Sequence, residues 1–151
     1  MPLINVTLPD GTVNEYASGI TCAEVITDAL GRKHGCLAAR VDGDECDMST
    51  PLDQNCSVEG ILSTSDEGIH ILRHSAAHLL AQAVTALYPG AKPTIGPAID
   101  RGFYYDFAME AITESDLKPI QKKMQELARK NFIVERVELS ESELQDHFAD
   151  N

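Results

Sequence analysis

Ile4-Asn5-Val6-Thr7-Leu8-Pro9-Asp10-Gly11 is an alternating stretch that runs into a turn. Ile4, Val6 and Leu8 fall on one side, Asn5 and Thr7 on the other, the period-two pattern of a half-buried strand. Pro9-Asp10-Gly11 supplies turn chemistry, and Val13 to Tyr16 returns as the second arm of a hairpin. Thr21 then offers a hydroxyl cap, and Glu24 three residues on completes a capping box. The helix this predicts runs from about Cys22 to Leu30, with Gly31 just past its end. Cys36 to Val41 reads as a third strand, Asp42-Gly43 as a hairpin turn, and Ser57 to Leu62 as a last strand. Two strands, a helix and two strands within residues 1–63 predict an α+β unit of the ubiquitin-like β-grasp type.

Ser63-Thr64-Ser65-Asp66 is loop and capping chemistry and marks a boundary. The second region, residues 66–151, is expected to be α+β as well. A long helix spans about Glu67 to Tyr88 and stops at Pro89-Gly90. Thr94 to Asp100 and Phe103 to Phe107 read as strands separated by Arg101-Gly102. Thr113 caps a second helix over Glu114 to Asn131, Phe132 to Leu139 reads as a strand, and Ser140 with Glu143 caps a short terminal helix.

Composition narrows the function. The 151 residues are 43% hydrophobic and 24% charged, as in an ordinary globular protein. No apolar run approaches the ~20 residues of a membrane helix. Met1-Pro2-Leu3-Ile4-Asn5 lacks the basic and apolar segments of a secretory signal, so a cytoplasmic location is expected. The net charge of −12 argues against an autonomous nucleic-acid binder, which normally carries a basic stripe. Lys118, Lys122, Lys123, Arg129 and Lys130 gather on the second helix, but Glu114, Asp116 and Glu126 dilute them into a solvated face. Cys22, Cys36, Cys46 and Cys56 form no C-x-x-C pair, so reduced thiols are expected.

Ile69-His70-Ile71-Leu72-Arg73-His74-Ser75-Ala76-Ala77-His78-Leu79-Leu80-Ala81 carries the most chemistry. His74 and His78 are four apart and share a helix face. Ile69, Leu72, Ala76, Leu79, Leu80, Ala83, Val84 and Leu87 form an apolar stripe on roughly the opposite side, while small Ala77, Ala81 and Thr85 flank the histidines. One reading is a solvated face bearing two imidazoles. The other is a cleft in which two groups suited to proton transfer near neutral pH meet a ligand. The spacing also suits zinc, but a third ligand is needed and H-E-x-x-H is not the pattern here; no metal is assigned.

Ile95-Gly96-Pro97-Ala98-Ile99-Asp100-Arg101-Gly102-Phe103-Tyr104-Tyr105-Asp106-Phe107 is the second constellation. Gly96-Pro97 bends the chain. Tyr104 and Tyr105 point to opposite faces of a strand, so one can sit in a core while the other lines a pocket, with Asp106 on the face of Tyr104. A strand with aromatic core residues is the plain alternative.

In this order the segments resemble the amino-terminal extension of bacterial threonyl-tRNA synthetases. Val6-Thr7-Leu8-Pro9-Asp10-Gly11 and Arg40-Val41-Asp42-Gly43 resemble a TGS domain. Arg73-His74-Ser75-Ala76-Ala77-His78-Leu79-Leu80, followed by Ile95-Gly96-Pro97 and Gly102-Phe103-Tyr104-Tyr105-Asp106, resemble the signatures of that family's editing domain. The resemblance implies hydrolysis of seryl-tRNA made in error for threonine. It implies His74 and His78 as the groups that position and deprotonate water. Gly96, Pro97, Tyr104, Tyr105 and Asp106 would bind substrate. The partner implied is tRNA(Thr), in a parent that is a homodimer through other domains. ATP, magnesium and zinc would belong to a ligase core outside this sequence, and this chain would bind none of them. The family completes its editing pocket with a downstream lysine and a Cys-x-x-x-His segment, for which neither Cys56 nor His147 stands in. The sequence up to Asn151 alone is therefore expected neither to charge tRNA nor to edit efficiently. Two other functions fit parts of the pattern: a non-catalytic TGS module that regulates or docks RNA, and a free-standing editing protein with zinc on the two histidines.

Overall fold

The computed structural model describes residues 2–134 and 136–148. The opening alternation forms β1 (Leu3–Thr7), which buries Ile4 and Val6 and exposes the residues between them. β2 (Val13–Ala17) pairs with it antiparallel. A two-residue strand β3 (Ile20–Thr21) leads into α1 (Cys22–Leu30), whose amino end carries the predicted box: Thr21 and Glu24 each accept the other's backbone N–H. Gly31 takes φ 79° at the helix end, a left-handed φ that favours glycine. β4 (Cys36–Val41) and β5 (Asp44–Cys46) are joined through Asp42 and Gly43 at φ 51° and 97°, the positive pair that a tight hairpin turn requires. Asp42 also accepts from the Ser57 N–H at 2.7 Å, tying the turn to the last strand.

After β6 (Pro51–Leu52), which pairs with β3, comes β7 (Cys56–Leu62). The five-stranded sheet has the order β2-β1-β7-β4-β5, with β1 and β7 parallel at its centre and the other neighbours antiparallel. First and last strands paired side by side, with a helix packed on the sheet, are the β-grasp. Val25 and Ile26 of α1 bury against Ile4, Val6, Ala39, Leu52 and Val58. The β3–β6 pair was not foreseen, because two residues are too short a run to show alternation.

The long helix α2 spans Asp66–Leu87. The Ser65 hydroxyl accepts from the Gly68 N–H at 3.1 Å, as the Ser/Thr-rich boundary predicts. Gly68 is buried, and a Cβ there would stand 1.9 Å from the Leu62 carbonyl oxygen. Arg40 on β4 donates to Glu59 at 3.1 Å and to Glu67 on the first turn of α2. The hydrogen bond from Arg40 holds the Glu67 carboxyl below its usual range. These contacts explain why one compact unit runs Met1–Leu72 and the other Arg73–Asn151.

The second unit departs from the sequence reading in two places. The expected strands over Thr94–Asp100 and Phe103–Phe107 are one interrupted hairpin. β8 (Lys92–Pro93) pairs with β11 (Phe107–Ala108), and β9 (Ala98–Ile99) pairs with β10 (Gly102–Phe103). Five residue steps separate Pro93 from Ala98, but four separate Phe103 from Phe107, so the first arm holds one extra residue. Pro97 has no N–H to donate, and the ladder breaks there as a bulge. The arms still meet between the strands, where the Thr94 N–H donates to the Asp106 carbonyl at 3.0 Å and the Asp106 N–H to the Ile95 carbonyl at 2.8 Å.

The second departure is Phe132–Leu139. Residues 132–134 and 136–139 form no strand, and Glu135 lies outside the described residues. A strand needs a partner, and among the described residues none pairs with this stretch. Phe132, Ile133, Val134 and Val137 stand 63%, 88%, 85% and 69% exposed.

Two more helices follow the hairpin: α3 (Glu114–Lys130) opens at the predicted cap Thr113, which pairs with Asp116, and α4 (Glu141–His147) at the predicted Ser140/Glu143 box. Ile120 of α3 buries against Val84 and Ala91. Glu126 pairs with Lys123 at 3.1 Å and Lys130 at 3.2 Å, so acid does offset part of the basic cluster. Among the described residues, no helix is long and apolar enough to cross a membrane.

Asp116 gives this unit a pH dependence. It accepts from the Thr113 N–H and hydroxyl, each at 2.7 Å, and from the Tyr88 hydroxyl at 2.9 Å. The Thr113 backbone bond, first among these, lowers its pKa. A carboxyl lowered on folding stabilises above its unfolded pKa and loses that contribution as pH falls through the folded one. The unfolding midpoint of Asp116→Asn should therefore fall less than the unsubstituted chain's between about pH 5 and pH 2, measured by circular dichroism against temperature.

Candidate active site

α2 presents His74 and His78 one turn apart, both exposed. Their Nε2 atoms lie 3.0 Å apart, and the rings meet edge to face at 82° with centroids 4.6 Å apart. At that distance one nitrogen donates and the other accepts, so the contact links the tautomers of the two rings. The helix buries part of the expected stripe, Ala83 at 0% and Val84 at 2% exposure, but the covered arc is shifted toward the histidines. Ala77 and Ala81 beside the histidines are 0% and 9% exposed, whereas Leu72 is 56% exposed. Small side chains at Ala77 and Ala81 admit close packing, so the histidines border a covered face instead of lying opposite one.

His78 also lines a cavity of about 710 Å³ with Ser75, Leu79, Gln82, Asn131 and Phe132. Gln82 and Asn131 were not singled out from the sequence. Gln82 was findable, since His74, His78 and Gln82 form one row at four-residue spacing. Asn131 was not, because its place depends on where α3 packs.

The glycine-proline segment meets the aromatic arm directly. A Cβ on Gly96 would stand 2.0 Å and 2.3 Å from Cδ2 and Cε2 of Tyr105, so the backbone lies flat against that ring. Tyr105 stacks on Phe107 at 4.8 Å and 26°. Exposure alternates as expected: Tyr104 and Asp106 are exposed, Tyr105 half-buried. Tyr105 and Asp106 line a second cavity of about 350 Å³ with Leu80, Val84, Phe107 and Ile120. Pro97 is half-buried beside Gly96. The structure thus brings His74 to His78 and Gly96 to Tyr105, but His78 and Tyr105 line different cavities. One contact links the two constellations: Arg73, next to His74, donates to the Ile99 carbonyl of the hairpin at 3.2 Å.

Gly96→Ala should destabilise the second unit by about 1–3 kcal/mol, the usual cost of overpacking. A thermal double-mutant cycle with Tyr105→Ala checks it: removing the ring should recover most of the loss.

The described residues contain no group of three or more histidine, cysteine or acidic side chains able to hold a metal. The two imidazoles alone do not make the zinc site that the free-standing alternative needs.

Residues 4–61 match the TGS domain family. Over 150 residues, 98% of this chain and 23% of the relative, the sequence is 42% identical to threonine–tRNA ligase 1 of Bacillus subtilis (strain 168). It is 48% identical over 145 residues to the threonine–tRNA ligase of Pelobacter propionicus, covering 95% of the chain and 23% of that protein. It is 43% identical over 148 residues to the threonine–tRNA ligase of Burkholderia vietnamiensis, covering 97% and 23%. The chain thus spans 23% of the length of these curated relatives.

Proposed function

Since residues 4–61 are a TGS domain and the chain as a whole is similar to the amino-terminal region of threonine–tRNA ligases, we propose that it serves in such a ligase, as the TGS domain and the first part of a proofreading domain. The observation that carries this reading is identity of 42–48% along nearly the whole chain, not only over the TGS residues. The parent joins threonine to tRNA(Thr) at the expense of ATP, in a core that holds ATP, magnesium and zinc. It acts in the cytoplasm as a homodimer through its other domains.

Proofreading has a physical need behind it. Serine is threonine without a methyl, and a group of that size gives only ~1–3 kcal/mol of discrimination. A second, hydrolytic site corrects the excess. His74 and His78 fit the work of such a site: of two solvent-facing, hydrogen-bonded imidazoles, one can orient the other to accept a proton from a water attacking the ester carbonyl. Gly96, Pro97, Tyr104, Tyr105 and Asp106 line the ground for the terminal adenosine and aminoacyl group. In support, Tyr105 and Asp106 line the cavity of about 350 Å³ beside Leu80 and Phe107. The exposed apolar residues Phe132, Ile133 and Val134 fit a domain whose remaining strands come from further along the parent.

The ligase reading is tested with the product of the gene that carries this chain. It should attach threonine to tRNA(Thr) with ATP and magnesium, whereas residues 1–151 alone should not. A gene product that binds tRNA but charges none would point to a docking module instead.

A further inference from the structure

The first unit contains a group of thiols that the proposed hydrolysis does not use. Cys22 opens α1 and is fully buried; Cys46 ends β5 and is half-buried. Their sulfurs lie 3.8 Å apart. The Cys22 N–H donates to the Thr50 carbonyl at 3.0 Å and the Ala23 N–H to the Met48 carbonyl at 2.8 Å, pinning the segment after Cys46 to the first turn of α1. Cys56 and Cys36 pack against the same core, and the Cys36 sulfur faces Gly60 and the His34 carbonyl. All four thiols are free.

We propose that Cys22 and Cys46 are a redox modification site that closes an intramolecular disulfide when the protein meets a hydroperoxide. The sulfurs have less than ~2 Å to travel to the ~2.05 Å bond length. β5 is an edge strand with one neighbour, β4, so it can make that movement without disturbing the centre of the sheet. Cys46 is the residue a small oxidant reaches first. Burial pushes the Cys22 thiol up to about 12, so Cys22 stays protonated and does not start the reaction; its proximity to Cys46, and not its acidity, brings it into the second step.

The Cys46 sulfur attacks one peroxide oxygen. An S–O bond forms, the O–O bond breaks, and the displaced hydroxide leaves as water with the thiol proton. The Cys22 sulfur then attacks the sulfenic sulfur. The S–S bond forms, the S–O bond breaks, and the hydroxyl leaves as a second water with the Cys22 proton. Two thiols lose two electrons, and one hydrogen peroxide becomes two waters. The product staples the amino end of α1 to the sheet edge across 24 residues of chain.

The test treats the full chain with hydrogen peroxide, blocks remaining thiols and digests at aspartates, which separates Cys46 from Cys56 through Asp47 and Asp53. The expected product is a Cys22–Cys46 cross-linked peptide, reversed by dithiothreitol, with two of the four thiols lost. The unfolding midpoint of the oxidised first unit should rise by roughly 10 °C. In Cys46→Ser, Cys22 should stay reduced under the same treatment. Oxidation of Cys46 with Cys22 still free, cross-links through Cys36, Cys56 or a second chain, or oxidation of Cys22 in Cys46→Ser would each overturn the assignment.

Discussion

Replacing His78 by alanine in the product of the gene that carries this chain should slow seryl-tRNA(Thr) hydrolysis about 10²–10⁴-fold, the usual worth of one positioned acid or base. His74→Ala should cost about as much. The two Nε2 atoms stand 3.0 Å apart, so each ring fixes the orientation and tautomer of the other. Removing either leaves the survivor with no partner to orient it. The double variant should therefore be little worse than either single one, as for residues that act as a unit. Both rings are exposed, so the thermal midpoint should barely move, within the ~0.5 kcal/mol of ordinary surface substitutions. Threonine attachment should also be retained. A rate loss that tracked a loss of stability would make the pair structural. An unchanged hydrolysis rate would make it a solvated face.

Gly68→Ala should destabilise the first unit by roughly 3 kcal/mol or more, at the upper end of what single substitutions do. Two effects oppose one another. Gly68 lies inside α2, where alanine is intrinsically favoured by about 1 kcal/mol. Against this, the new Cβ would stand 1.9 Å from the Leu62 carbonyl oxygen and 2.8 Å from its carbon. Both are backbone atoms, so no rotamer change relieves the overlap. Either β7 or the start of α2 must shift, which disturbs the Ser65 cap at 3.1 Å and the pairing of Arg40 with Glu67. The clash therefore outweighs the propensity gain. Urea unfolding followed by circular dichroism measures it, and a stabilised variant would show that α2 does not lie against β7 this closely. Gly60→Ala is the milder companion, because its nearest neighbour at 2.6 Å is the Cys36 sulfur, which can rotate away.

The β-grasp was legible because its signals are local. Alternation at Ile4 and Val6, the Thr21/Glu24 box, Gly31 past the helix and Asp42-Gly43 at the turn each act within a few residues. The mistakes fall where partners decide the outcome. Phe132–Leu139 has strand composition but, among the described residues, nothing to pair with. Thr94–Asp100 reads as one strand, yet the Gly96-Pro97 bulge breaks its ladder and leaves the extra residue unmatched. Periodicity located the two histidines on one face and Ala83 and Val84 on the buried one, but not how far the buried arc of α2 reaches toward the histidines. Ala77 and Ala81 are covered because they are small enough for close packing, which an apolar stripe drawn from larger residues does not show. The apposition of Gly96 and Tyr105 was likewise not deducible from either residue alone, since it depends on the hairpin register.

The most direct test of the account is a comparison of two substrates on the unmodified gene product: release of serine from seryl-tRNA(Thr) and of threonine from threonyl-tRNA(Thr). The account predicts rapid release of serine and slow release of threonine. Equal rates for the two, or no release of serine above the spontaneous rate, would contradict it.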